Sequence, residues 1–227
     1  MMEREEMKNT QLFDLSQTIA AELFTRYDYP WEVLPHIGEF ILSIGARLPE
    51  EEYRKLGEDV WIHKSAKLAP SVLMTGPAII CAGAELRHSA FLRGKTIVGE
   101  GAVVGNSCEL KNVILFNKVQ TPHYNYVGDS ILGFKSHMGA GSITSNVKSD
   151  KTLVKIHAAD GDIETGLKKV GAVLGDQVEV GCGSVLNPGT VIGKNTNIYP
   201  LSSVRGCVAP GSIYKRQGEV AVKEERG

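Results

Sequence analysis

The chain has 227 residues, enough for one well-packed core, and its 25 Lys plus Arg against 26 Asp plus Glu leave a formal net charge of -1. That balance excludes a broad basic field for nucleic acid or an anionic membrane. The charged start MMEREEMKNT lacks an apolar stretch and no apolar run reaches membrane-spanning length, so a soluble cytoplasmic protein with no nucleic-acid and no membrane partner is expected.

Residues 1–57 read as helical. Leu12, Leu15, Ile19 and Leu23 follow helical spacing, and a second helix opening at Pro35 would present Ile37, Phe40, Ile41, Ile44 and Leu48. A third short helix is expected after Pro49, with Glu50, Glu51 and Glu52 at its positive end, Arg54 and Lys55 at its negative end and Gly57 as its stop. The segment is expected to cap the open end of whatever follows.

From Val60 the period changes to six. Ile62, Leu68, Met74, Ile80, Leu86, Leu92, Val98, Val104, Leu110 and Phe116 recur at that interval, and a second column of small or β-branched residues runs two positions ahead, from Val60 to Ile114. Neither a helix nor a long strand has this period, whereas short strands joined by tight corners do. The expected fold is mainly β, a parallel β-helix of hexapeptide repeats. The count returns at Val127, Leu132 and Met138, and again from Leu174 to Val204. Between the runs, TLVKIHAADGDIET reads as two strands joined at Asp160-Gly161, an inserted hairpin near 147–170. The resulting division is a helical segment (1–57), a solenoid (58–213) and a charged tail (214–227).

Three coil positions per turn make residues eighteen apart stack. Arg93 and Lys111 stand at that spacing, each directly after a column residue, where one guanidinium and one ammonium can hold a single phosphate. In TPHYNYVGDS (121–130) the column residue is missing, so a bulge is expected that projects His123. Cys81, Cys108, Cys182 and Cys207 form no C-x-x-C pair, which favours reduced thiols and no structural zinc.

VGNSCELKNV, TPHYNYVGDS, MGAGSITSN and VGAVLGDQVEVGCGSVLNPGTVIG together resemble the left-handed β-helix acyltransferases with hexapeptide repeats. The closer likeness, over roughly residues 60–213, is to the acetyltransferase half of bifunctional sugar-1-phosphate nucleotidyltransferase/amino-sugar acetyltransferases. The resemblance implies N-acetyl transfer from acetyl-CoA to an amino-sugar phosphate such as glucosamine 1-phosphate, in a homotrimer. It makes His123 the general base and gives Arg93 and Lys111 to the sugar phosphate, with Tyr126 on the sugar or its phosphate. It brings Gly139 and Ala140 N–H groups to the thioester carbonyl and Asn146 to acetyl-CoA or the acceptor. Lys151 and Lys155 are read either as contacts of the CoA phosphates or as surface charge.

Two positions depart from the pattern. His137 stands where many relatives have an Asn touching the sugar, and Cys182 where bacterial relatives often have a Ser near CoA. No Gly-rich nucleotide loop followed by a basic residue occurs in residues 1–57, so nucleotide transfer is not expected. A zinc-dependent hydratase on the same fold needs a histidine pair that is missing, since His123 and His137 are fourteen apart. A catalytically inactive sugar-phosphate-binding scaffold is the other reading, and thiol release separates the two.

Overall fold

The computed structural model describes residues 2–216 and 218–223. Its core is a parallel β-helix with three faces. One face stacks Val60–His63, Ala78–Ile80, Thr96–Val98, the second halves of Glu109–Leu115 and Tyr126–Leu132, then Ala172–Leu174, Thr190–Ile192 and Cys207–Val208. The second stacks Leu73–Thr75, Phe91–Arg93, the first halves of the same two long strands, Ile143–Thr144, Val185–Leu186 and Ser203–Val204. The third runs from Lys67–Leu68 through Val103–Asn106, Gln120–His123 and His137–Met138 to Ser212–Arg216.

The six-residue columns form the interior: Ile62, Leu92, Val98, Val104 and Leu110 are all fully buried. The count loses one residue earlier than expected. Leu110 pairs with Leu92, eighteen back, but Leu115 pairs with Val98, seventeen back. Leu115 rather than Phe116 therefore points inward, and Val113 rather than Ile114 takes the column ahead of it. Phe116 instead turns its ring onto Phe13 (4.9 Å) and Phe24 (5.2 Å). The expected bulge at 121–126 does not occur, because the shorter coil lets Thr121 fall opposite Val104 with its side chain buried, and His123 opposite Asn106.

The hairpin pairs Lys155–Ala158 with Gly161–Glu164 and leaves the coil before Leu174, which pairs with Leu132. At the other end the solenoid runs past residue 213. Ser212–Arg216 stacks on the last coil and Glu219–Val222 folds back on it, with Tyr214 buried and its hydroxyl donating to the Ser203 carbonyl at 3.1 Å. Residues 217 and 224–227 of the expected tail lie outside the described residues.

The N-terminal segment is broken into short pieces rather than long helices. Asn9–Leu12 ends at Phe13, whose backbone is extended, and Ala21–Phe24 begins only after a 3-10 turn, Leu15–Gln17. Pro35 lies in another 3-10 turn, Leu34–His36, and the longest helix is Ile37–Gly45. No helix follows Pro49: Tyr53–Lys55 is a strand, antiparallel to Val60–His63, because the edge of the first rung offers hydrogen bonds that a short charged helix would leave unpaired.

The pieces cover a side of the solenoid rather than capping its end. The outward residues of the first face are Trp61, Ile79, Ile97, Ile114, Ile131, Val173, Val191 and Cys207, all buried. Ile37–Gly45 packs on its lower strands and Gly45 lies so close to the Trp61 ring that a Cβ there would sit 2.6 Å from it. Each such isoleucine or valine gains about 1.5–3 kcal/mol on leaving water. The Asp176 carboxylate fastens the cover, accepting the N–H groups of Asp14 (2.7 Å) and Phe134 (2.8 Å).

Candidate active site

With the first face covered, the second face is open and is bordered by two stacked corners. Along one corner the backbone ladder links His88, Asn106, His123, Ala140 and Cys182: the N–H of Tyr124 donates to the Asn106 carbonyl (2.9 Å), that of Gly141 to His123 (3.0 Å) and that of Gly183 to Ala140 (2.9 Å). Neighbouring coils are roughly 4.8 Å apart. His123, Ala140 and Cys182 thus form one exposed row on successive coils.

The row is held from beneath by Asn125. Its buried Oδ1 accepts the His123 N–H at 3.1 Å, while Nδ2 donates to the carbonyls of Gly139 (2.9 Å) and Ser142 (3.0 Å) on the next coil. Gly139 is needed there for close approach, since a Cβ would sit 2.6 Å from the Cys182 nitrogen. Its N–H is already spent on the Val180 carbonyl at 2.7 Å, so Gly139 cannot serve a thioester oxygen as the motif implied. The Ala140 N–H has no acceptor among the described residues.

The opposite corner stacks Thr75, Arg93, Lys111 and Gly128. Arg93 and Lys111 therefore stand one coil apart, but neither is free. Arg93 donates to Glu109 at 2.6 Å and Lys111 to both oxygens of the nearly buried Asp129 carboxylate at 3.2 Å. Asp129 also accepts Asn112 (3.0 Å) and Asn146 (2.5 Å). Tyr126 faces outward between the corners, and its hydroxyl accepts Asn146 Nδ2 at 3.3 Å. Burial pushes the Tyr126 phenol up, opposed by that hydrogen bond and reinforced by the Asp129 and Glu109 carboxylates, so the hydroxyl keeps its proton at neutral pH.

The remaining positions lie elsewhere. His137 is on the third face, bonded to Glu179 at 2.9 Å. Lys155 is tied to Glu164 across the hairpin at 2.6 Å, and lines a hollow of about 320 Å³ with Lys148, His157, Asn187 and Arg205. Lys151 is exposed in the turn before the hairpin. Asn125, Glu109 and Asp129 escaped the sequence reading. Asp129 was within reach of it, being eighteen residues from Lys111.

The family model for the GMPPB C-terminal domain matches residues 74–181. The bifunctional protein GlmU of Methanococcus maripaludis strain C5 is 30% identical over 216 residues, 87% of this chain and 48% of that protein. The chain is a hexapeptide-repeat β-helix protein. It spans about half the length of the GlmU relative and 32% of a bifunctional sugar-1-phosphate nucleotidylyltransferase/acetyltransferase of Sulfurisphaera tokodaii, to which it is 33% identical over 127 residues, 56% of its own length. A hexapeptide transferase family protein from Anaplasma phagocytophilum aligns with a TM-score of 0.40 at 14% identity, covering 74% of this chain and 81% of that one. Among the described residues no helix is long and apolar enough to cross a membrane and no cluster has the makings of a metal site.

Proposed function

We propose that this hexapeptide-repeat protein transfers the acetyl group of acetyl-CoA to the nitrogen of an amino-sugar 1-phosphate resembling glucosamine 1-phosphate, as a homotrimer. The observation that carries the reading is the row of His123, Ala140 and Cys182 beside a face bearing Tyr126, Arg93 and Lys111. The likeness to a bifunctional acetyltransferase and to GlmU supports the reaction class.

In this reading the imidazole of His123 takes a proton from the amino group as its nitrogen bonds to the thioester carbon. The Ala140 N–H donates to the carbonyl oxygen as negative charge develops there. The C–S bond then breaks and CoA leaves as its thiol, carrying the proton. Tyr126 offers its O–H to the acceptor, and Asn146 orients Tyr126. Cys182, one coil beyond Ala140, lies along the path of CoA; with no base bonded to it among the described residues, direct transfer is preferred to an acyl-enzyme. Lys151 and Lys155 are assigned to the CoA phosphates; His137, on the third face and bonded to Glu179, is left out of the acceptor site.

One observation favours the scaffold reading: Glu109 and Asp129 already neutralise Arg93 and Lys111. Mixing the folded protein with acetyl-CoA and a panel of hexosamine phosphates decides between them. Thiol release with any member supports transfer; none with all of them leaves a binding protein.

A further inference from the structure

A second pair of stacked cations lies on the corner between the first and third faces. The ladder there runs Gly101, Lys118, Lys135, Gln177 and Asn195: the Lys118 N–H donates to Glu100 (2.8 Å), that of Lys135 to Asn117 (3.1 Å) and that of Gln177 to Phe134 (2.8 Å). Lys118 and Lys135 are exposed, and both hold left-handed backbone angles (φ 60° and 57°) at a position filled elsewhere by Gly101, Gln177 and Asn195. Neither has a carboxylate partner among the described residues. Both ammonium groups instead lie over the Phe134 ring, at 5.9 and 5.2 Å from its centroid. In this respect they are the converse of Arg93 and Lys111.

The two lysines line a hollow of about 490 Å³ together with Gly101, Gln120, His137 and Glu179. Glu179 is the one carboxylate in that lining, and it is engaged by His137 at 2.9 Å. Two lysines without carboxylate partners among the described residues, rooted on backbone positions one coil or roughly 4.8 Å apart and both directed over the Phe134 ring, suit the oxygens of a phosphate or diphosphate. The ladder carries no cation on the coils immediately to either side, at Gly101 and Gln177, so an extended polyanion finds no continuing track.

We propose that this hollow is a binding site for a compact phosphate-bearing molecule, a diphosphate by itself or the diphosphate of a nucleotide, separate from the Arg93 and Lys111 corner. The site stands whether or not acetyl transfer does.

Calorimetric titration of the full chain with inorganic diphosphate, UDP and uridine tests it. Diphosphate and UDP should bind, and Lys118→Asn or Lys135→Asn, which suit a left-handed backbone, should each weaken binding roughly tenfold or more. Arg26→Gln, at an exposed cation of the N-terminal segment outside both corners, should leave it unchanged. UDP binding more tightly than diphosphate would support a nucleotide occupant, and equal affinities would support diphosphate alone. The proposal is overturned if the double lysine variant, with an unchanged unfolding midpoint, binds diphosphate as tightly as the parent. It is equally overturned if the parent binds RNA or heparin but neither diphosphate nor UDP.

Discussion

Asn125 and His123 are joined through the backbone: the His123 N–H donates to the buried Asn125 amide oxygen at 3.1 Å, and the same amide reaches the Gly139 carbonyl of the next coil at 2.9 Å. One side chain thus fixes both the corner that carries the imidazole and the corner that carries the Ala140 N–H. Asn125→Ala leaves the His123 N–H without its acceptor and the Ser142 carbonyl without the amide donor, whereas the Gly139 carbonyl keeps the Ser142 N–H and hydroxyl. A loss of about 1–3 kcal/mol in stability is expected by denaturant titration. Turnover should fall in the folded variant while CoA affinity changes little.

The carboxylate pairing of the phosphate corner makes a directional prediction. Replacing Arg93 or Lys111 by Ala should weaken sugar-phosphate binding by roughly ten- to a hundredfold, at about 1.5–3 kcal/mol for a charge-assisted contact. Glu109→Gln, which releases Arg93, should tighten it. A phosphate-free amino sugar should bind all of these variants alike; if it lost as much affinity as the phosphorylated sugar, the two cations would be holding the ring or the fold.

Asp176→Asn probes the N-terminal cover. The amide can accept only one of the two N–H groups that the carboxylate receives from Asp14 and Phe134, and its own NH2 then faces the other. The expected cost is about 1–3 kcal/mol in denaturant titration, with increased binding of a hydrophobic dye as the column from Ile79 to Val191 is uncovered. An unchanged midpoint and no dye binding would mean that the apolar contacts alone hold the segment.

Light scattering checks the assembly. A particle three times the 24.6 kDa chain is expected. A monomeric mass at micromolar concentration would contradict the proposed homotrimer.

The solenoid was legible because its interior repeats with one period and is filled mainly by apolar, small or β-branched side chains. The period misled where chemistry was ambiguous: Ile114 and Phe116 are as apolar as the residues that truly face inward, Val113 and Leu115, so the lost residue left no mark on the pattern. That slip produced the false bulge at 121–126. The N-terminal pieces were misjudged for a different reason. Their apolar residues are spaced to follow a flat β surface, and Asp14, whose side chain accepts the Ser16 N–H, stops the helix that Leu12, Leu15 and Ile19 would otherwise build. Stacking of Arg93 on Lys111 could be read from spacing, and so could Asp129 beside Lys111, but the neutralisation of Arg93 could not, because Glu109 meets it only once the coil closes.

The most direct test of the whole account is thiol release from acetyl-CoA with glucosamine 1-phosphate, measured for the parent and for His123→Ala across a range of pH. The account predicts turnover by the parent and a drop of roughly 10² to 10⁴ in the variant, with CoA binding retained. A parent that releases no thiol with any hexosamine phosphate, or a variant within tenfold of the parent at every pH, would contradict it.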